Sequence, residues 1–129
     1  MHETLVHAEF IYADTKQSLD NLVGALLEES HRDVFVERRR RHRHPLSKPV
    51  NVTPLSEDCQ PLGNEIPALT HDISTAGISI LNVAPIEHRY LMLRFPGELR
   101  PPRAAMVEVV RHERAGPLWI IAGKFLVKP

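Results

Sequence analysis

Tyr90-Leu91-Met92-Leu93-Arg94-Phe95, followed by Pro96-Gly97, is the stretch that decides the fold. Leu91, Leu93 and Phe95 occupy alternate positions, the period of a strand with one face on a core, and Pro-Gly ends the run. The same pattern recurs on both sides. Val50 and Val52 alternate with polar neighbours in 46–54, and residues 65–73 follow the Pro61-Leu62-Gly63 turn. Gly77 to Val83 runs into Ala84-Pro85, and residues 104–113 carry Val107 and Val109 on one face. After Ala115-Gly116-Pro117, residues 118–127 place Trp119, Ile121 and Phe125 at even spacing. Six short strands with turn signals at near-regular intervals predict a mainly β domain, an antiparallel barrel or sandwich. Closure into a barrel removes exposed edges.

All eleven prolines and five of the six glycines lie beyond residue 44, so a helix is permitted only before it. There Leu19, Leu22, Val23, Leu26 and Leu27 fall at i, i+3, i+4, i+7 and i+8, the stripe of an amphipathic helix over about 14–31. Asp14 and Gln17 have the spacing of a capping box, and Lys16, Asp20, Asn21, Glu28 and Glu29 fill the wet face. Gly24 within the pattern costs about 1 kcal/mol relative to alanine, so the helix needs a surface to pack on. That surface is either its own domain or, if the helix is a dimer contact or a movable arm, another one. Phe10-Ile11-Tyr12 is apolar enough to pair as a strand or simply to pack. The chain thus divides into an extension, 1–37, and a β domain, 38–129.

A chain of 129 residues is long enough for one domain with a real core. Net charge is zero but unevenly spread: residues 1–37 carry two basic and eight acidic side chains, and residues 38–129 carry fourteen and eight. The two parts should attract each other or recruit different partners. A nucleic-acid binder is usually basic overall, and this chain is not. The single Cys59 excludes an internal disulfide, no secretory signal opens the chain, and no apolar run spans a bilayer, so a cytoplasmic protein is expected.

Two polar stretches stand out from this frame. Arg38-Arg39-Arg40-Arg41-His42-Arg43-His44 packs five arginines into six positions, whose mutual repulsion makes a packed element unfavourable without an anion. Its plain reading is a solvated charge run. Asp72-Ile73-Ser74-Thr75-Ala76-Gly77 lies between the second and third strands. Its plain reading is a hairpin in which Gly77 supplies a positive φ and Asp72 or Ser74 bonds nearby backbone. Strand alternation also puts Asp72 and Ser74 on one face, an acceptor beside a hydroxyl.

Together the two stretches resemble the PilZ domain family, bacterial receptors of the second messenger cyclic di-GMP. Arg39-Arg40-Arg41-His42-Arg43 is similar to the family's Arg-x-x-x-Arg, and Asp72, Ser74 and Gly77 match its Asp/Asn-x-Ser-x-x-Gly. Val-x-Val-Val-Arg at 107–111 and Gly123-Lys124-Phe125 resemble its last two strands, so the likeness covers roughly 38–127. It implies a six-stranded antiparallel, split or Greek-key-like β-barrel; many members carry a helix after the last barrel strand, and this sequence departs from them in placing its long helix in front. It also implies a ligand, cyclic di-GMP, held by Arg39, Arg43, Asp72, Ser74 and Gly77, with Arg38, Arg40 and Arg41 as auxiliary charge. Arg38 and His42 offer a second register, but only Arg39 and Arg43 put arginine at both ends. Family members regulate motility, polysaccharide synthesis, pili or transcription through a partner, which implies a protein partner here.

The chemistry suits such a ligand. A guanidinium fork grips phosphate, meets guanine O6 and N7 in bidentate fashion, or stacks on a base. A carboxylate accepts from guanine N–H groups. Ordering of the arginine segment on binding would then switch the N-terminal arm. Rival readings are a PilZ-like adaptor acting through protein contacts alone and a small nucleic-acid-binding barrel, though the chain has few aromatics for base stacking. No catalytic order of residues, phosphate-binding glycine loop or His-x-x-x-His pair points to an enzyme or a metal, and no cofactor is expected.

Overall fold

The computed structural model describes residues 11–30, 43–97 and 102–128. Alternation, which sends every second side chain inward, produces six long strands: β3 (Pro49–Leu55), β4 (Ile66–Ile73), β5 (Gly77–Asn82), β6 (Tyr90–Phe95), β7 (Arg103–Ala115) and β8 (Leu118–Phe125). They are antiparallel and close in the order β3-β4-β5-β8-β7-β6, with β6 returning to β3. The protein is therefore mainly β, a closed six-stranded antiparallel barrel. Two short outer strands flank it: β1 (Ile11–Tyr12) runs parallel to β7, and β2 (His44–Pro45) pairs with β4. Ile11 thus pairs as a strand residue; Phe10 lies outside the described residues.

Closure depends on β7. Its first half pairs with β6 and its second half with β8, with a register shift between Val109 and Arg111. The bulge bends the strand around the barrel. The Gly116-Pro117 turn, with Gly116 at φ +63°, joins β7 to β8.

The barrel interior is full. Ile78, Ile80, Leu91, Leu93, Val107 and Ile121 converge on a residual void of about 10 Å³, room for no more than one water. A nucleotide has no place inside, so any ligand of that size meets the outside of the barrel.

The helix found among the described residues, α1 (Lys16–Ser30), lies against its own domain. Leu19, Leu22, Val23, Leu26 and Leu27 are each no more than 1% exposed and share one apolar cluster with Leu46, Val52, Phe95 and the barrel strands. Gly24 is buried with them. The cap differs by one residue from Asp14/Gln17: Ser18 N–H donates to Thr15 Oγ1 (3.0 Å) and Thr15 N–H to Ser18 Oγ (2.9 Å). Asp14 is engaged elsewhere, its carbonyl accepting from Lys128 N–H (2.7 Å) and its carboxylate pairing with Lys128 Nζ (3.0 Å). At the far end, Glu29 pairs with Lys48, tying the last helical turn to the segment entering β3. Among the described residues no helix is long and apolar enough to cross a membrane.

Glu65, just ahead of β4, meets Arg94 of β6 in a two-pronged pair, Nε to Oε2 at 2.7 Å and Nη2 to Oε1 at 2.8 Å. The hydrogen bond from Arg94 holds the Glu65 carboxyl below its ordinary range, against a smaller opposing effect of burial, and the Arg94 guanidinium is correspondingly raised. A folded-state value below the unfolded one contributes stability above the unfolded value of about 4.3 and loses it as pH falls through the folded one. Urea unfolding should therefore show wild type more stable than Glu65→Gln at pH 7 and the gap closing toward pH 3. A gap independent of pH would remove this pair from the stability of the barrel.

Candidate functional site

The Asp72–Gly77 stretch is the end of β4, a turn and the start of β5. Alternation fails once along β4. The register against β5 shifts between Thr70 and Asp72, which leaves His71 exposed as the extra residue and brings both Thr70 and Ile73 to buried positions. Asp72 is thereby turned to the outer surface, while Ser74 sits in the turn at 3% exposure. Asp72 and Ser74 differ in exposure, the Asp72 side chain being 26% exposed and Ser74 buried. The Ser74 hydroxyl oxygen accepts from Ala76 N–H (3.1 Å) and Gly77 N–H (3.3 Å), and Ser74 N–H donates to Gly77 C=O (2.9 Å). Ser74 shapes the turn that follows Asp72.

Gly77 has a different reason from a positive φ. Its φ is not in the left-handed region, which among the described glycines holds Gly63, Gly97 and Gly116. A Cβ at Gly77 would instead meet the Gly123 carbonyl oxygen of β8 at 2.4 Å. Close approach of two backbones requires the glycine.

Arg43 and Asp72, separated by 29 residues, are brought together: Arg43 Nη1 donates to Asp72 Oδ1 at 2.7 Å. The strand β2 makes this contact, since His44 pairs with Ile73 and Pro45 with Asp72. Arg38, Arg39, Arg40 and Arg41 lie outside the described residues. The Arg43 and Asp72 side chains are 47% and 26% exposed. An ion pair so open to water is worth about 0–1 kcal/mol, so a ligand that takes over either partner gives up little.

Thr70 is the residue that sequence reasoning missed. Its hydroxyl, 1% exposed, donates to Leu46 C=O (2.5 Å) and accepts from Lys48 N–H (2.8 Å), while Leu46 N–H reaches His71 C=O (3.1 Å) and Thr70 N–H reaches Lys48 C=O (2.9 Å). These bonds fasten the chain just after Arg43 along β4. The only sequence signal was a polar residue among the alternating positions of a strand. Thr70→Val keeps the shape but leaves two backbone groups unpaired, at about 1–3 kcal/mol each if they stay buried. Thermal unfolding should show that loss; an unchanged melting point would mean that water replaces the hydroxyl.

Among the described residues no group of three or more His, Cys, Asp or Glu side chains is arranged to hold a metal ion. His71 is exposed, and His112 Nε2 lies 2.8 Å from the Ile86 carbonyl oxygen. No family model matches the chain, and a search of curated proteins found no match.

Proposed function

We propose that this protein is a receptor for cyclic di-GMP that signals to a protein partner. The observation that carries the reading is the contact of Arg43 with Asp72, two residues far apart in the chain and each supplied by one of the two stretches that resemble the PilZ motifs. A guanidinium beside a carboxylate on an exposed surface offers both halves of a guanine-nucleotide reader: donors for phosphate or for O6 and N7, and an acceptor for ring and amino N–H groups. The filled barrel interior supports a ligand on the outside of the barrel rather than within it. Ser74 and Gly77 contribute by fixing the turn and the strand spacing around Asp72.

The switch has a bounded range. Lifting α1 from the barrel would expose five buried aliphatic side chains, at about 1.5–3 kcal/mol each, or on the order of 10 kcal/mol together. A micromolar ligand supplies about 8 kcal/mol in total, and only its preference between states moves an equilibrium. The helix therefore stays seated, and the ligand's effect is confined to the chain between α1 and β2 and to the surface a partner reads there.

Calorimetric titration of the purified protein with cyclic di-GMP tests the reading, with GTP and cyclic AMP as controls. Saturable binding of cyclic di-GMP alone is expected, with only a shallow dependence on salt because two phosphates are neutralised. Absence of binding, or steep salt-dependent binding of single-stranded nucleic acid instead, overturns it.

A further inference from the structure

We propose that two copies of this chain associate edge to edge through β7, in a two-fold antiparallel seam running from Val110 to Arg114 of each copy. The inference is independent of the receptor reading. It starts from the length of β7, which outruns its neighbour β6. The ladder between them ends at Tyr90 opposite Glu108, and Val109 N–H to Arg89 C=O (2.7 Å) is the last backbone bond on that side among the described residues. Past that point β7 is paired with β8 alone. The hairpin thus carries an open edge beyond the rim of the closed barrel, and such an edge is a template for another strand.

The direction of the backbone groups fixes which registers are open. Leu126 N–H donates to Met106 C=O, so Leu126 and every second residue before it along β8 face β7. Past the register shift these residues, Ala122, Ile120 and Leu118, stand opposite Arg111, Glu113 and Ala115. Arg111, Glu113 and Ala115 therefore bond to β8, while His112 and Arg114 turn their N–H and C=O groups to the open edge. A two-fold axis set between two residues would oppose outward groups to inward ones, so the axis passes through a residue. Centred on Arg111, the seam sets Arg111 against its own copy; centred on Glu113, it sets glutamate against glutamate. Centred on His112, it sets Arg111 opposite the second copy's Glu113 on both sides of the axis. These are non-hydrogen-bonded positions, where side chains come closest and the sign of the charges counts most.

The side chains are free to make this exchange. Within one copy Arg111 Nε lies 3.5 Å from Glu113 Oε1, with both side chains more than half exposed, a pair of little strength. Charges on an edge ordinarily discourage pairing, and here the order Arg-His-Glu discourages the two neighbouring registers while favouring the one between them. On the opposite face Val110, 58% exposed, falls against the aliphatic stem of the second copy's Arg114. His112 Nε2 lies 2.8 Å from the Ile86 carbonyl oxygen, which turns the ring onto its own chain and away from the axis. The seam is bounded by Arg89 at one end and by the Gly116-Pro117 turn at the other, so it is short, and a dissociation constant in the micromolar range is expected.

Sedimentation velocity over a series of concentrations tests the seam on wild type, Arg111→Glu, Glu113→Arg and the double swap, with melting points to verify folding. Wild type should pass from monomer to dimer as concentration rises. Each single substitution sets like charges opposite each other on both sides of the axis and should weaken the dimer tenfold or more. The double swap restores the opposite pairs. So does an equimolar mixture of the two single variants, in which each seam joins unlike copies, and both should recover the wild-type dimer. A wild type that stays monomeric throughout overturns the inference, as do single variants that dimerise like wild type or that mixing fails to rescue. A protein that dimerises in this way and binds no cyclic di-GMP keeps the seam and loses only the receptor reading.

Discussion

Gly77→Ala should lower the stability of the ligand-free protein by about 3 kcal/mol, with a melting point roughly 10 °C below wild type. The added methyl would be placed 2.4 Å from the Gly123 carbonyl oxygen and 3.3 Å from the Lys124 Cα, both backbone atoms of β8. A side chain in the way can rotate; a carbonyl in a ladder cannot move without loosening its strand. Neither strand has slack, because β5 is held between β4 and β8 and β8 between β5 and β7. Thermal unfolding without ligand decides the matter. A melting point within a degree of wild type would mean that β5 and β8 part easily there, which a closed barrel does not allow. The experiment also separates two reasons for a glycine in Asp-x-Ser-x-x-Gly, since strand spacing acts without ligand and ligand contact does not.

Arg43→Ala should do the reverse, leaving stability within about 1 kcal/mol while removing about 2–5 kcal/mol of cyclic di-GMP affinity. The small first term follows from the exposure of the Arg43–Asp72 pair. The larger second term reflects anionic and base acceptors of the ligand left without their partner once water is excluded. Arg43→Lys keeps the charge but loses the fork, so its affinity should fall between the two. Calorimetry in parallel with thermal unfolding measures both terms. Unchanged affinity in Arg43→Ala would take Arg43 out of the site, and a large loss of stability would make the pair structural.

The barrel was legible in the sequence because alternation and turn residues reported the same answer at each strand. Leu91, Leu93 and Phe95 are buried as their spacing required, and so is the Leu19–Leu27 stripe. Local deviations were not legible. Nothing in Thr70-His71-Asp72 announces a bulge, since any of the three residues can occupy either face of a strand, and the shift is set by pairing with β5. Alternation likewise does not say that Ser74, two residues beyond Asp72, is buried in the turn with its hydroxyl accepting from Ala76 and Gly77 N–H. The cap moved from Asp14 to Thr15 for a similar reason, because Lys128, distant in sequence, engages Asp14. Gly77 was marked as necessary on the wrong ground: a glycine's spacing in sequence does not say whether torsion or contact requires it. The two motifs implied that Arg43 and Asp72 serve one ligand, not that they pair directly; the cause of their contact, the pairing of His44-Pro45 with β4, has no signature in the two residues themselves.

The ring of six strands also sets how fast the chain can reach its native state. One of its long-range seams, β3 against β6, joins Asn51 to Arg94 and Leu55 to Tyr90, partners several tens of residues apart, as β5 against β8 joins Gly77 to Lys124. No local hairpin nucleates that seam, and the entropy of closing the intervening loop must be met before its ladder forms. Refolding from denaturant should accordingly take milliseconds to seconds, and substitutions confined to the β7–β8 hairpin should accelerate unfolding or slow folding according to whether that hairpin is already made when the seam closes.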